Sequence, residues 1–278
     1  MPLDEVNEGI LEYFPALSPD GRKLAYLTSE NQDYAITVIK IYDFETGEKK
    51  ELERTVNTRM SWSPDGKQLL YTRNKGGFSD LYIHDFEADK ERRISANLRA
   101  KDPAFSPDGE RIVFVHNEDG THNLGLINRD GTNLTYLTNN NDATQYYAPR
   151  FSPDGNQVIT SGRDKNIRVW NTKDAKQVRA IGGFGDEVYR VLVAKDGKVY
   201  SSSAAKTARV HTVGDGKQVR SLAGHKDWVY SVAVTPDSKL IATGSYDGEI
   251  RIWNAADGKG TVTFVAAPGY KAPKTAAK

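Results

Sequence analysis

The tetrapeptide Ser-Pro-Asp-Gly recurs at Ser18–Gly21, Ser63–Gly66, Ser106–Gly109 and Ser152–Gly155. Looser copies follow at Ala194-Lys195-Asp196-Gly197 and Thr235-Pro236-Asp237-Ser238. The intervals are 45, 43, 46, 42 and 41 residues. Such a period, kept over six copies, belongs to a chain built from stacked supersecondary units. The motif itself is turn chemistry: Pro fixes φ, Asp accepts from nearby backbone N–H groups, and Gly takes a positive φ.

Every copy sits between strand-like runs. Segments such as Arg59–Trp62 and Val229–Thr235 precede it. A second run follows it, as at Lys23–Leu27, Gln68–Thr72, Arg111–Val115 and Leu240–Thr243. A third comes next, as at Ile36–Tyr42, Asp80–Asp85, Ile167–Trp170 and Ile250–Trp253. A polar turn leads to a fourth, as at Glu48–Glu53, Glu91–Ser95, Gln218–Leu222 and Gly260–Val265. The runs are short, β-branched or alternating, and bounded by Gly, Asp and Asn. No stretch keeps a helical period. Four strands in each of six units predict an all-β, six-bladed β-propeller with four-stranded antiparallel blades. One four-stranded sheet cannot bury both faces, whereas neighbouring blades cover one another. The expected propeller is a single domain over residues 1–267. Gly260–Val265 supplies the last outer strand, with Leu3–Val6 as the alternative. The Ala-, Lys- and Pro-rich tail, residues 268–278, is expected to be disordered.

The repeats come in two styles. Pro15–Gly21, Ser61–Gly66 and Pro103–Gly109, with Leu81-Tyr82-Ile83-His84-Asp85 and Leu137-Thr138-Asn139-Asn140, resemble the TolB-type (PD40) propeller repeat. That resemblance covers about residues 9–155, and blades 1–3 are assigned to residues 9–150. Residues 151–267, as blades 4–6, resemble WD40 repeats. Gly224-His225, Trp228-Val229, Ile241–Ser245 and Ile250–Asn254 carry this likeness most fully. The WD40 resemblance implies a buried hydrogen-bonded tetrad of His225, Thr243, Asp247 and Trp253. In the fifth repeat Phe184, Ala205 and His211 replace its His, Asp and Trp.

Composition changes at the same place. Over the whole chain 38 Lys and Arg balance 37 Asp and Glu, and mean hydropathy is −0.62. Residues 1–150 nevertheless carry a net charge of −7 and residues 151–278 a net charge of +8. The break falls on a turn that both repeat styles share. It suggests a recombined or engineered hybrid propeller, against a natural one whose blades diverged.

Few enzymatic signatures are present. The sequence lacks cysteine, a G-x-S-x-G elbow, H-E-x-x-H and a Walker loop. His116 and His122 flank one expected loop, where exposed loop residues compete with a metal pair. No catalytic residue, metal or cofactor is assigned. Arg168, Arg209 and Arg251, with Arg179 and Arg220, are read as exposed strand residues rather than a nucleic-acid face. No run is long enough to span a membrane. The acidic start Met1–Glu5 predicts no signal peptide and a soluble chain that stays in the cytoplasm if expressed as written. A monomer is expected, with self-association across the charge split as the alternative.

Loops carry binding on rigid repeat scaffolds. Five residues before each turn stand Tyr13, Thr58, Lys101, Tyr147, Tyr189 and Tyr230. These tyrosines either pack between blades or form part of an aromatic ring at a channel mouth. The WD40 resemblance implies partner contacts at Trp228, Tyr230 and Tyr246, at Gln145, Tyr147 and Arg163, and at Glu187 and Tyr189. Three functions follow: a non-enzymatic scaffold without an evolved ligand, a propeller that binds a protein or peptide at the channel mouth, and a lactonase-like hydrolase with an axial metal.

Overall fold

The computed structural model describes residues 11–29, 37–55, 59–75, 77–142 and 144–266. These residues are all-β and form six sheets of four antiparallel strands, the blades of a β-propeller fold. Two compact units divide the chain, Met1–Ala143 and Thr144–Lys278. In the first unit, blade 1 is β1–β4 (Leu11–Leu17, Lys23–Ser29, Thr37–Asp43, Lys49–Thr55). Blade 2 is β5–β8 (Ser61–Trp62, Gln68–Lys75, Phe78–Asp85, Lys90–Arg93). Blade 3 is β9–β12 (Ala100–Phe105, Arg111–Glu118, Thr121–Asn128, Thr135–Tyr136). In the second unit, blade 4 is β13–β16 (Tyr146–Phe151, Gln157–Gly162, Ile167–Asn171, Gln177–Ile181). Blade 5 is β17–β20 (Val188–Val193, Lys198–Ser203, Thr207–Thr212, Gln218–Ala223). Blade 6 is β21–β24 (Val229–Val234, Leu240–Ser245, Glu249–Asn254, Gly260–Val265). Gly260–Val265 is thus an outer strand, paired with β23. Leu3–Val6 and the tail lie outside the described residues.

Each sheet is a simple meander, so every hairpin joins neighbours. The repeated turn explains why. Ser18 Oγ donates to Asp20 Oδ1 at 2.5 Å and accepts from Lys23 N–H at 2.8 Å. Asp20 also accepts from Arg22 N–H, and Gly21 at φ 74° donates to the Ser18 carbonyl. The same set recurs at Ser63, Ser106, Ser152 and, with a threonine, Thr235. The Ala194 turn lacks the hydroxyl and is one residue tighter: its N–H bonds the carbonyl of Lys198, four residues on instead of five.

Packing is between successive sheets. Leu27 and Ile39 of blade 1 meet Trp62, Leu69 and Tyr71 of blade 2. Leu70, Leu81 and Ile83 then meet Phe105, Ile112 and Phe114 of blade 3. In the second unit Ile159 and Val169 pack on Val188, Val191 and Val199. Tyr200 and Val210 pack on Val229, Ile241 and Trp253. A second strand covered on both faces is apolar or small throughout, as in the buried runs of β2, β14 and β18.

The inner strands break their register in two ways. The register of β1, β9 and β13 breaks at Phe14, Asp102 and Ala148, with φ of 50°, 48° and 45°. A proline follows each of them. The breaks in β17 and β21 fall at Tyr189 and Tyr230 without a proline. Blade 4 therefore shares its inner-strand break with blades 1 and 3.

Polar groups lock the first unit's outer strands. Asp80, fully buried, accepts from Arg93 Nη2 at 2.6 Å, Ser95 Oγ at 2.8 Å and the N–H groups of Asn97 and Leu98. Burial alone would raise its carboxyl, but these donors hold it below the usual range. Asn123 repeats the arrangement in blade 3, with Thr138 and Asn140.

Two expectations need adjustment. His116 and His122 do flank one turn, at residues 119–120, but both stand on strands, β10 and β11, rather than in the loop. His116 Nδ1 is 2.6 Å from the Leu98 carbonyl, and its ring tilts against Tyr136. The arginines are engaged rather than loosely exposed. Arg168 pairs with Asp164, Arg251 with Glu249, and Arg209 lies over the Phe184 ring. Arg179 donates to the carbonyls of Val213 and Gly214, and Arg220 to that of Ala256.

Candidate functional site

One backbone contact gathers the candidate residues of the second unit. In each blade, a loop N–H donates to the carbonyl just before the inner strand. The pairs are Arg163 to Gln145 at 3.2 Å, Ala204 to Glu187 at 2.9 Å and Tyr246 to Trp228 at 2.9 Å. The loop between the second and third strands is thereby tied to the start of the first. Residues about eighteen positions apart become neighbours at one edge of each blade.

On blade 6 this edge is aromatic. Trp228 lies 6.3 Å from Tyr230 at 81° and 6.0 Å from Tyr246 at 46°, and the two tyrosines are 5.9 Å apart. Tyr230 stacks at 4.8 Å and 18° on Tyr189 of blade 5. Trp228, Tyr230 and Tyr246 keep 43%, 39% and 52% of their surface in solvent, so ring packing leaves a large apolar area open. Asp227 Oδ1 accepts the Trp228 N–H at 2.8 Å and fixes the approach of that loop.

A polar strip continues the patch towards blade 4. Glu187 pairs with Arg163 at 3.0 Å, and Tyr147 donates to Gln145 Oε1 at 2.6 Å. Burial raises the Tyr147 phenol, Glu187 adds to the rise, and Arg163 opposes it. Tyr189 is pushed up to about 12, by burial first, then by Tyr230 and Glu187. Burial raises the Tyr230 phenol as well. The phenols are therefore neutral hydroxyls at physiological pH, and the formal charges of the strip sit on Arg163, Glu187 and Asp227.

All eight candidate contact residues fall on this one edge of the second unit. The tyrosine position differs in the first unit: Lys101 stands there in blade 3, while Thr58 and the Tyr13 side chain lie outside the described residues. Asp186 takes the place equivalent to Asp227 in blade 5, where its Oδ1 accepts the Glu187 N–H at 2.9 Å.

Behind the patch, His225 Nε2 lies 2.6 Å from Thr243 Oγ1, which also accepts from Trp253 Nε1 at 2.8 Å. Asp247 does not reach the imidazole directly; it accepts from Ser245 Oγ, which is 3.1 Å from His225 Nδ1. The carboxylate at Nδ1 is Glu249, at 3.0 Å. Burial lowers the His225 pKa, with Glu249 pulling the other way. A neutral ring then donates from Nδ1 to Glu249 and accepts the Thr243 hydroxyl at Nε2. In blade 4 only the Trp170 Nε1 to Thr160 Oγ1 bond remains, at 3.3 Å. In blade 5 Phe184 and His211 meet at 5.6 Å.

Among the described residues no three His, Cys, Asp or Glu side chains converge as metal ligands. The patch offers recognition chemistry: flat apolar rings, hydroxyls, and one ion pair at the rim.

Comparison with known proteins agrees with this architecture. The family model of the TolB beta propeller domain matches residues 6–188 and, in an overlapping match, residues 61–225. The WD domain, G-beta repeat, matches residues 216–254. An uncharacterized protein of Agrobacterium fabrum is 26% identical over 153 residues, 54% of this chain and 51% of that protein. The Tol-Pal system protein TolB of Anaeromyxobacter sp. (strain K) is 30% identical over 98 residues, 34% of this chain and 23% of that protein. A WD40 repeat-containing protein of Dictyostelium discoideum is 25% identical over 159 residues, 54% of this chain and 22% of that protein. The chain thus spans about half or less of the length of these relatives. Both TolB-domain matches run across residues 150–155, and the comparisons lend a recombined or engineered origin no support.

Proposed function

The chain belongs to the TolB β-propeller domain family, and from that premise we propose that it is a non-enzymatic interaction propeller. Its partner is a protein or peptide, held on the aromatic edge of the second unit. The observation that carries this reading is the cluster of Trp228, Tyr230 and Tyr246 braced by Tyr189, with large ring areas still in solvent. Trp and Tyr give rigid contact area at low entropic cost and dominate binding hot spots. The Arg163–Glu187 pair and Gln145 with Tyr147 form a polar rim that sets orientation.

Peptide-display selection on the intact chain tests the proposal. Selected peptides are expected to lose at least about tenfold in affinity, or about 1.4 kcal/mol, with Trp228→Ala or Tyr246→Ala. Tyr136→Ala, an exposed aromatic of the first unit, serves as the control and leaves binding intact. Equal binding by all three variants removes the site, and turnover on an ester or lactone panel removes the non-enzymatic reading. A second reading, a scaffold without an evolved ligand, is favoured by the charge change at residue 150. A selection that yields no binder supports it.

A further inference from the structure

The outer strands of the blades differ in how they present their free edge. β4 reads Lys-Lys-Glu-Leu-Glu-Arg-Thr and β8 reads Lys-Glu-Arg-Arg. β16 and β20 carry Arg179 and Arg220, and β12 has only two residues. Charge and shortness are the usual protections of a sheet edge. β24 has neither. It reads Gly-Thr-Val-Thr-Phe-Val, all six residues are exposed, and Val262, Phe264 and Val265 stand half out in solvent.

The register shows what this edge offers. Ala266 N–H donates to the Gly248 carbonyl at 2.9 Å, so that pair is hydrogen-bonded. Antiparallel pairs alternate in type, so Ile250–Phe264 and Ile252–Val262 are hydrogen-bonded as well. The N–H and C=O groups of Thr263 and Val265 then point away from β23, whereas the register shifts at Thr261, whose Oγ1 donates to the Ile252 carbonyl at 3.1 Å. Among the described residues no other strand pairs with them.

We propose that β24 is a self-association edge, pairing antiparallel with β24 of a second copy of this chain about a two-fold axis at Thr263. Symmetry fixes the register. An isologous antiparallel pair must place one residue opposite itself, because successive pairs alternate in type. Centring on Thr263 sets its outward N–H and C=O against those of Thr263 in the second copy, two residues clear of the bulge at Thr261. The intervening pairs set Val262 against Phe264 of the second copy, twice. Threonine pairs and aromatic–β-branched pairs are favourable cross-strand neighbours, and no charge opposes another. Six residues per copy make a small interface, of the weak and reversible class.

The absence of cysteine makes the test direct. Thr263→Cys places two thiols across a hydrogen-bonded pair with Cα atoms about 5.5 Å apart, inside the disulfide range. Under mild oxidation it is expected to form a cross-linked dimer at several times the yield of Thr261→Cys. Sedimentation of the unmodified chain is expected to show a mass that rises with concentration and holds in 0.5 M NaCl. Thr263→Lys, with like charges set face to face, is expected to stay monomeric with an unchanged far-UV spectrum. Equal cross-linking by the two cysteine variants overturns the proposal. So does an unmodified chain that stays monomeric at every concentration. Association that disappears in salt yet survives Thr263→Lys also overturns it, and assigns the contact to charged surfaces.

Discussion

The smallest unit that shapes this protein is a hydroxyl bonded to an aspartate. At Ser106 the side chain is fully buried, donates to Asp108 at 2.5 Å and accepts from Arg111 N–H at 2.9 Å. That bond comes first among the causes that hold the Asp108 carboxyl below its ordinary value. Ser106→Ala is expected to cost about 1–2 kcal/mol in denaturant unfolding, since a buried N–H loses its acceptor. His211 gives the second prediction at this scale. Burial first, then Arg209, lowers its pKa from 6.5 to about 4. Above 6.5 the ring is neutral in both states and has no effect on the slope. Below 6.5 the unfolded chain takes up a proton that the folded chain refuses. Stability should therefore fall by about 1.4 kcal/mol per pH unit between 6.5 and 4. Unfolding midpoints across that range check it, and His211→Phe should flatten the profile. The Ser-Pro-Asp-Gly turns were legible in sequence because their bonds span five residues or fewer. The substitution at His211 was legible too, but its burial was not.

Blades are joined by their outer strands. Arg92 reaches the Arg129 carbonyl, Arg179 those of Val213 and Gly214, and Arg220 that of Ala256. In blade 1 Lys50 pairs with Asp89 in the corresponding place. A cation on one outer strand thus clasps the last turn of the next blade. Arg179→Ala is expected to cost about 1.5 kcal/mol, as charged donors to carbonyls do, and Arg179→Lys to recover part of it in thermal unfolding. Sequence periodicity placed Arg179 and Arg220 at equivalent positions but suggested solvent exposure. The direction of a long side chain across to the next sheet has no local signature.

At the scale of the molecule, four hydrophobic clusters among the described residues lie within single units, two in each. Leu70→Ala should open a cavity confined to the cluster of blades 2 and 3. Native-state hydrogen exchange is expected to show faster exchange in β6, β7 and β10 and unchanged protection in β14 and β18. Strand number, blade number and turn positions were determined by the sequence alone, because alternation and turn chemistry act over a few residues. The eight contact candidates could be named from the WD40 resemblance carried onto matching repeat positions. Their assembly depended on tertiary structure: the Tyr189–Tyr230 stack and the Arg163–Glu187 pair each join residues of different blades. Such contacts depend on how one twisted sheet lies on the next, and that geometry is set by the packing of both faces together rather than by any local run of residues.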